Sequence, residues 1–527
     1  MIINRTIPLL IAQVEPPQDT SGGDYYYRTH APGLAMAAME GVFVVNLTSE
    51  HRRKWEVAER ADVLVLKNVC DPDLLPLIKA RKEHGKVTVY EIADDLSAIE
   101  PWNPVHFFYK NPENRSLVWR LAGYCNALQV TCSRLKELYG RLNPICRVFP
   151  NQVSHVPPEK IRKKRNGLVI GWGGSHGHLQ DMEEVAEPLS CWIAAESGAR
   201  LHVMASEPIL KLFGNLPEKK RRFFPTGSIE EYYSFLRRID VGIGPLKDTP
   251  FNRSRSDVKF LEYAVSGVVP VMRRLDPYAD SIIPGETGFL YVESQELISH
   301  LSHLSRDPLL LKKVAESARN YVLGNRLETA HAHERVDFYR SLLQKRHLNA
   351  SSSSPRELFD GLSSLKGAAV TGRHLRLAYT EFETLLHEGL VAMQVREENN
   401  TALRLFHRAA EMEPENYLPC LYASPASADP EKILLKAIAL NPFSLKARIM
   451  LGESYARRGR PLEALKCFGE AAEIFSGYEI PYKRAASLLH RIGHSEKASM
   501  LETRAASLCA QFPPQVDIAA IPRAAAS

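Results

Sequence analysis

Short apolar runs alternate with helical stretches as far as residue 345. Past a serine-rich break at 349–357 the short runs stop. Strand-like segments fall at 6–14, 42–47, 61–67, 87–91, 127–131 and 146–149. A second series follows at 168–172, 200–205, 223–224, 240–244 and 268–272. Helical stretches such as 32–39, 73–84, 115–123, 133–140 and 228–238 lie between them. Strands that alternate with helices make parallel, doubly wound sheets. At 527 residues the chain is too long for one hydrophobic core. The expected organisation is therefore α/β, with two Rossmann-like domains at 1–160 and 167–345. A linker at 346–372, an all-α region at 373–512 and a loose tail at 513–527 complete it.

Composition narrows the class without naming it. Hydrophobic and charged fractions of 45% and 24% are those of a soluble globular protein. A net charge of +6 is modest for this length and gives no sign of nucleic-acid binding. The basic clusters at 160–165 and 219–222 read as a solvated linker and loop, with peripheral contact to an anionic membrane as the most they imply. Eight scattered cysteines form no C-x-x-C pair and no zinc spacing. That pattern suits reduced thiols in a cytoplasm. The apolar run within 1–17 is too short to span a bilayer and is followed by prolines, so it reads as a first strand rather than a signal peptide.

Three stretches carry chemistry. The first, 240–272, reads as strand, basic loop, helix, strand, with Ser256 or Asp257 at the helix start and Gly267 at its end. A helix N-terminus suits an anion. Lys259 and Glu262, three apart, share one face of that helix and pair a cation for phosphate with a carboxylate for hydroxyls. The second is GLVIGWGGSHGH, where Gly173, Gly174 and Ser175 form a turn between strand and helix, a phosphate cradle. His176 and His178 follow it and could donate to phosphate or a sugar hydroxyl. No G-K-[ST] follows, so it is no P-loop. The third is YEIADD, which brings Glu91, Asp94 and Asp95 to the carboxyl end of a strand, where ligands bind in such sheets. Three acids so close need a cation or hydrogen-bond donors, and a two-carboxylate metal site is an open alternative. Gly22 and Gly23 follow the first strand and let a ligand approach the backbone.

With Glu262, Gly267, Pro270 and Val271, the 240–272 stretch resembles the donor signature of the retaining glycosyltransferases of family 4, which have the GT-B fold. Asn252, Arg253, Asp257 and Lys259 are similar to a bacterial subgroup, as are the D-x-x-x-R of Asp24 and Arg28 and the acids at 91–95. Pro150 and Asn151 resemble the family's domain junction, and 285–290 its G-x-x-G-F-L. The family has two glutamates eight apart, and Ser254 stands at the first position. The resemblance implies hexosyl transfer from a UDP- or GDP-linked sugar with retention of configuration. It gives Arg253 and Lys259 the leaving diphosphate. Glu262 takes hydroxyls of the ribose or sugar, and Asn252 and His176 lie in the donor site. Gly22, Gly23, Gly173, Gly174 and Ser175 line the phosphates, 225–227 passes the base, and Asp94 or Asp95 orients the acceptor. It implies no metal and no cofactor beyond the nucleotide sugar. The acceptor is a glycan, free or lipid-linked, or a protein. The final helix, at 327–346, should cross back to the first domain.

The C-terminal region fits tetratricopeptide spacing. Leu451, Gly452, Tyr455, Ala464, Phe468 and Ala471 make one copy, and Ala402, Phe406, Ala409 and Pro414 belong to another. The interval between Pro414 and Pro442 holds a degenerate copy, and Gly493 and Ala498 mark an eroded last one. Such stacks bind peptides or another subunit, so a protein partner or self-association is expected there. A rival is a non-catalytic scaffold, favoured by Ser254.

Overall fold

The computed structural model describes residues 7–17, 22–103, 105–160, 167–344 and 354–512. The tail at 513–527, most of the 160–165 cluster and the serine run at 349–353 lie outside the described residues.

The first six strands are β1 (Leu9–Glu15), β2 (Val42–Thr48), β3 (Val63–Lys67), β4 (Val87–Ile92), β5 (Ala127–Val130) and β6 (Cys146–Val148). They lie in the order β2-β1-β3-β4-β5-β6 and are all parallel. The next six are β7 (Val169–Gly173), β8 (Arg200–Met204), β9 (Arg221–Phe224), β10 (Val241–Gly244), β11 (Val269–Arg273) and β12 (Phe289–Tyr291). Their order is β12-β11-β10-β7-β8-β9, again parallel. Helices cover both faces of such sheets, so the central strands are continuous apolar runs. β1 is buried along its whole length. Two doubly wound domains are the GT-B architecture the sequence leads one to expect. The helix Glu328–Gln344 returns to the first domain, where Val336 and Tyr339 join the core under β1, β3 and β4. There the Tyr339 hydroxyl donates to Gln129 Oε1 at 2.9 Å.

The expected linker at 346–372 is corrected from residue 355 onward. The helix Pro355–Ser363 buries Leu358, Phe359 and Leu362 in the first domain's core. A hairpin of β13 (Ala368–Thr371) and β14 (His374–Leu377) turns at Gly372, whose φ of +58° suits glycine. β14 pairs in parallel with β2, so the hairpin extends the first sheet. β14 also corrects the region expected to be all-α from 373, where the first helix begins only at Glu381; four residues are too few to carry a clear period-two pattern.

Residues 381–511 form successive helix pairs: Glu381–Gln394 with Asn399–Met412, Leu418–Ala423 with Pro430–Leu440, Leu445–Arg457 with Pro461–Ile474, and Glu479–Arg491 with Ser495–Gln511. The shortest helix falls in the interval expected to be degenerate. Gly452 lets the third pair close up, since a Cβ there would lie 2.5 Å from the Phe468 ring. The pairs pack firmly on the first domain. Leu445, Ile449, Phe475, Tyr478 and Ile480 share its core. Arg120 forms a fully buried ion pair with Glu479. Asp73 accepts from the Tyr417 and Ser444 hydroxyls at 3.0 and 2.8 Å and from the Lys446 amide at 3.0 Å.

Candidate active site

The strand orders reverse between β1 and β3 and between β7 and β10. Loops leaving a parallel sheet at such points diverge and leave a crevice at the strand carboxyl ends. The two crevices face each other as one cleft of about 580 Å³. The first domain contributes Gly22, Gly23, Asp24 and Tyr27 after β1, Asp94 after β4 and Thr131 after β5. The second contributes Gly173, Gly174, Ser175 and His178 after β7, Thr226 and Gly227 after β9, and Arg255, Lys259 and Glu262 after β10.

In the second domain, the helix Val258–Val265 points its N-terminus at the cleft. Asp257 stands at its cap position but makes no capping bond. Its carboxylate pairs instead with Arg326 at 2.6 Å and accepts from Ser281 at 2.7 Å. Lys259 Nζ donates to the Gly173 carbonyl at 2.5 Å, tying the helix to the glycine turn. The same ammonium lies 5.7 Å from the Trp172 ring centre and 5.4 Å from that of Tyr232. Glu262, 5% exposed, accepts from the Tyr27 hydroxyl at 2.9 Å across the domain boundary. Burial lowers the Lys259 pKa and raises that of Glu262, and each opposes the other's shift through its charge.

His178 lines the cleft and bonds through Nδ1 to Asp181 Oδ2 at 2.7 Å. Burial, then the charge of Arg255, lowers its pKa to about 4. The ring is therefore neutral near pH 7. Its proton sits on Nδ1, facing the carboxylate, and Nε2 is left as an acceptor. Asp94 lines the opposite wall. Burial raises its pKa, and Arg255 acts against that rise. Lys67 pairs with Asp24 at 2.7 Å and with Glu15 at 3.1 Å beneath the glycine loop.

Five expectations change. Arg253 points outward, pairing with Asp248 at 2.6 Å and Asp276 at 3.1 Å, and does not line the cleft. Arg255 takes that place; its guanidinium lies 5.4 Å from the Phe251 ring centre and has no carboxylate partner among the described residues. Asn252 is buried behind the wall, donating to Asp181 Oδ1 at 2.8 Å and to the Lys247 carbonyl at 3.0 Å. His176 turns toward Ser206 at 3.4 Å, and His178 faces the cleft instead. Asp95 is structural: Tyr139 and Ser97 donate to it at 2.7 and 2.6 Å. The acids therefore do not act as a cluster. Glu91 pairs with Arg28 at 2.7 Å; burial would raise its pKa, but Arg28 and Arg335 outweigh that and hold it low. Ser254 is buried and donates to the Phe251 carbonyl at 2.8 Å.

Sequence reasoning missed the roles of Arg255 and Tyr27. The one-turn helix Pro250–Arg253 decides which arginine turns inward, and no pattern in the sequence reports its phase. Among the described residues no cluster of three or more His, Cys, Asp or Glu side chains could hold a metal ion. Among them also, no helix is long and apolar enough to cross a membrane.

No family model matches the chain, and no curated protein matches it. Solved structures do. Sucrose-phosphate synthase from Thermosynechococcus elongatus aligns at 13% identity and a TM-score of 0.49, over 64% of this chain and 100% of that one. HepE from Anabaena, in complex with UDP, aligns at 14% and 0.46, over 63% and 100%. TarM aligns at 9% and 0.42 over 53% of this chain, which spans 54% of TarM's own length.

Proposed function

We propose that this chain transfers a glycosyl group from a nucleotide sugar to an acceptor hydroxyl. One observation carries the proposal. Within one cleft, Lys259 and Glu262 meet a glycine turn, a helix N-terminus and the guanidinium of Arg255, which has no ion-pair partner among the described residues. That set fits a diphosphate flanked by polyhydroxyl groups. The diphosphate would lie between 173–175 and the start of the helix Val258–Val265. As the glycosidic bond breaks, charge grows on the leaving phosphate, and Arg255 and Lys259 are placed to stabilise it. Glu262 accepts from ribose or sugar hydroxyls in place of Tyr27. His178 Nε2 accepts from a sugar hydroxyl. Asp94, across the cleft, orients the acceptor.

The family resemblance adds that the anomeric configuration is retained and that the leaving phosphate deprotonates the acceptor. It also brings the expectation that no metal is required. A UDP- or GDP-linked donor, a glycan or protein acceptor and a cytoplasmic location complete the reading. The hairpin's Arg376 lies 5.6 Å from the Tyr25 ring centre and its His374 bonds to Asn46 at 2.9 Å, which sets that domain apart from a plain doubly wound sheet.

Lys259→Met tests the proposal, since it keeps the side-chain length and removes the charge. Turnover of the preferred donor should fall by about 10²–10³-fold, the usual loss when one preorganised charge is removed. The far-ultraviolet circular dichroism should be unchanged. Turnover like that of the wild type would overturn the phosphate assignment.

A further inference from the structure

A groove larger than the cleft lies away from it, where the repeats dock on the first domain. It encloses about 870 Å³. One bank is formed by the first-domain helices Lys54–Arg60 and Leu74–Glu83, the other by the ends and turns of the repeat helices. The floor is apolar, with Trp55, Leu77 and Ile474, and Phe443 stands 68% exposed on the rim. Carboxylates come from both banks: Glu59 and Glu83 on one, Glu413, Glu415 and Glu473 on the other. Arg52 neutralises Glu413 at 2.6 Å. The other four have no ion-pair partner among the described residues, and Lys79 is the remaining cation of the lining. This concentration of negative charge sits in a chain of net charge +6. The indole N–H of Trp55 is buried and has no acceptor among the described residues, although the ring lines the groove.

We infer that this groove holds an extended segment of a partner protein in which lysines or arginines alternate with large apolar residues. The apolar side chains fill the floor and cover Phe443. The cations meet the paired banks, where complementary charge sets specificity and encounter rate. An acidic peptide, a nucleic acid or an anionic lipid surface would be repelled. The groove needs both modules, so the repeats act here as one wall of a site and not as an independent binding domain. The inference is independent of the transfer chemistry, because no cleft residue takes part.

The probe is a fluorescein-labelled peptide alternating lysine with phenylalanine and leucine, beside a version with glutamate for lysine. Fluorescence anisotropy is read on the full chain, on the double variant Glu83→Lys/Glu415→Lys and on Phe443→Ser. All three positions are exposed or rim residues distant from the cleft. The lysine peptide should bind wild type saturably and more weakly as salt rises. The double variant should lose about tenfold in affinity, and Phe443→Ser several-fold, with nucleotide-sugar turnover unchanged in both. The glutamate peptide should not bind. Equal binding by the double variant, equal binding of the glutamate peptide, or no saturable binding to wild type would overturn the inference. So would sedimentation showing that wild type self-associates and the double variant does not, since the occupant would then be a second copy of this chain.

Discussion

Arg253 and Arg255 stand in one loop with different surroundings. The first is held outward by two carboxylates, and the second stacks on Phe251 at the cleft wall. If the diphosphate binds where Arg255 points, Arg255→Ala should lower kcat/KM for the donor by about 10–100-fold, the range for a lost charge-assisted hydrogen bond. Arg253→Ala removes exposed ion pairs worth no more than about 1 kcal/mol of stability, and its kcat/KM should stay near that of the wild type. Steady-state kinetics on both variants separate the two, and the reverse ranking would restore the sequence-based assignment. At this scale the sequence was legible where a residue's position follows from its element. Lys259 and Glu262 face the cleft because a helix starts at 258, and Gly173–Ser175 line it because a strand ends there. It was opaque where side-chain direction depends on a single turn or on a partner far away in the chain. Asp95 went to Tyr139, Asn252 to Asp181 and Glu91 to Arg28, partners 44, 71 and 63 residues distant.

Elements were more legible than residues, because burial on both faces leaves a continuous apolar run that survives without any partner being known. β1 to β5 and β10 stand within a few residues of the expected segments. The hairpin β13–β14 escaped notice because its buried strand spans four residues and takes its meaning from pairing with β2. The repeat helices show what small residues do. Gly452 and Gly469 lie in the two helices of one pair. A Cβ at Gly452 meets the Phe468 ring at 2.5 Å, whereas one at Gly469 meets nothing within 4 Å. Gly452→Ala should therefore destabilise by about 1–3 kcal/mol through overpacking. Gly469→Ala should stabilise by about 0.5–1 kcal/mol through helix propensity. Thermal unfolding monitored by circular dichroism should show melting temperatures shifted in opposite directions. A shift of the same sign in both would contradict the packing described.

For the whole molecule, the repeats are anchored to the first domain and do not swing on a tether. Arg120 and Glu479 are buried together. Ser116 donates to Glu479 at 2.7 Å, and Arg484 grips Glu113 with two bonds of 2.9 Å. Removing one partner of a buried pair strands the other charge, at a cost of about 3–5 kcal/mol. Scanning calorimetry should show the repeats and the first domain of wild type melting together, and Arg120→Ala should split off an earlier transition. A single unshifted transition would mean that the pair does not couple them. The two doubly wound sheets and the helical extension were readable from the order of elements. Their docking was not, because it depends on side chains that meet over 350 residues apart. In the proposed function, the cleft between the sheets binds a nucleotide sugar through Arg255, Lys259 and Glu262. Isothermal titration calorimetry with UDP-, GDP-, dTDP- and ADP-linked sugars tests it most directly. One nucleotide class should bind, with affinity at least about tenfold weaker in Arg255→Ala and Glu262→Ala and unchanged in Arg253→Ala. No binding by any of the four, or equal binding in all the variants, would contradict it.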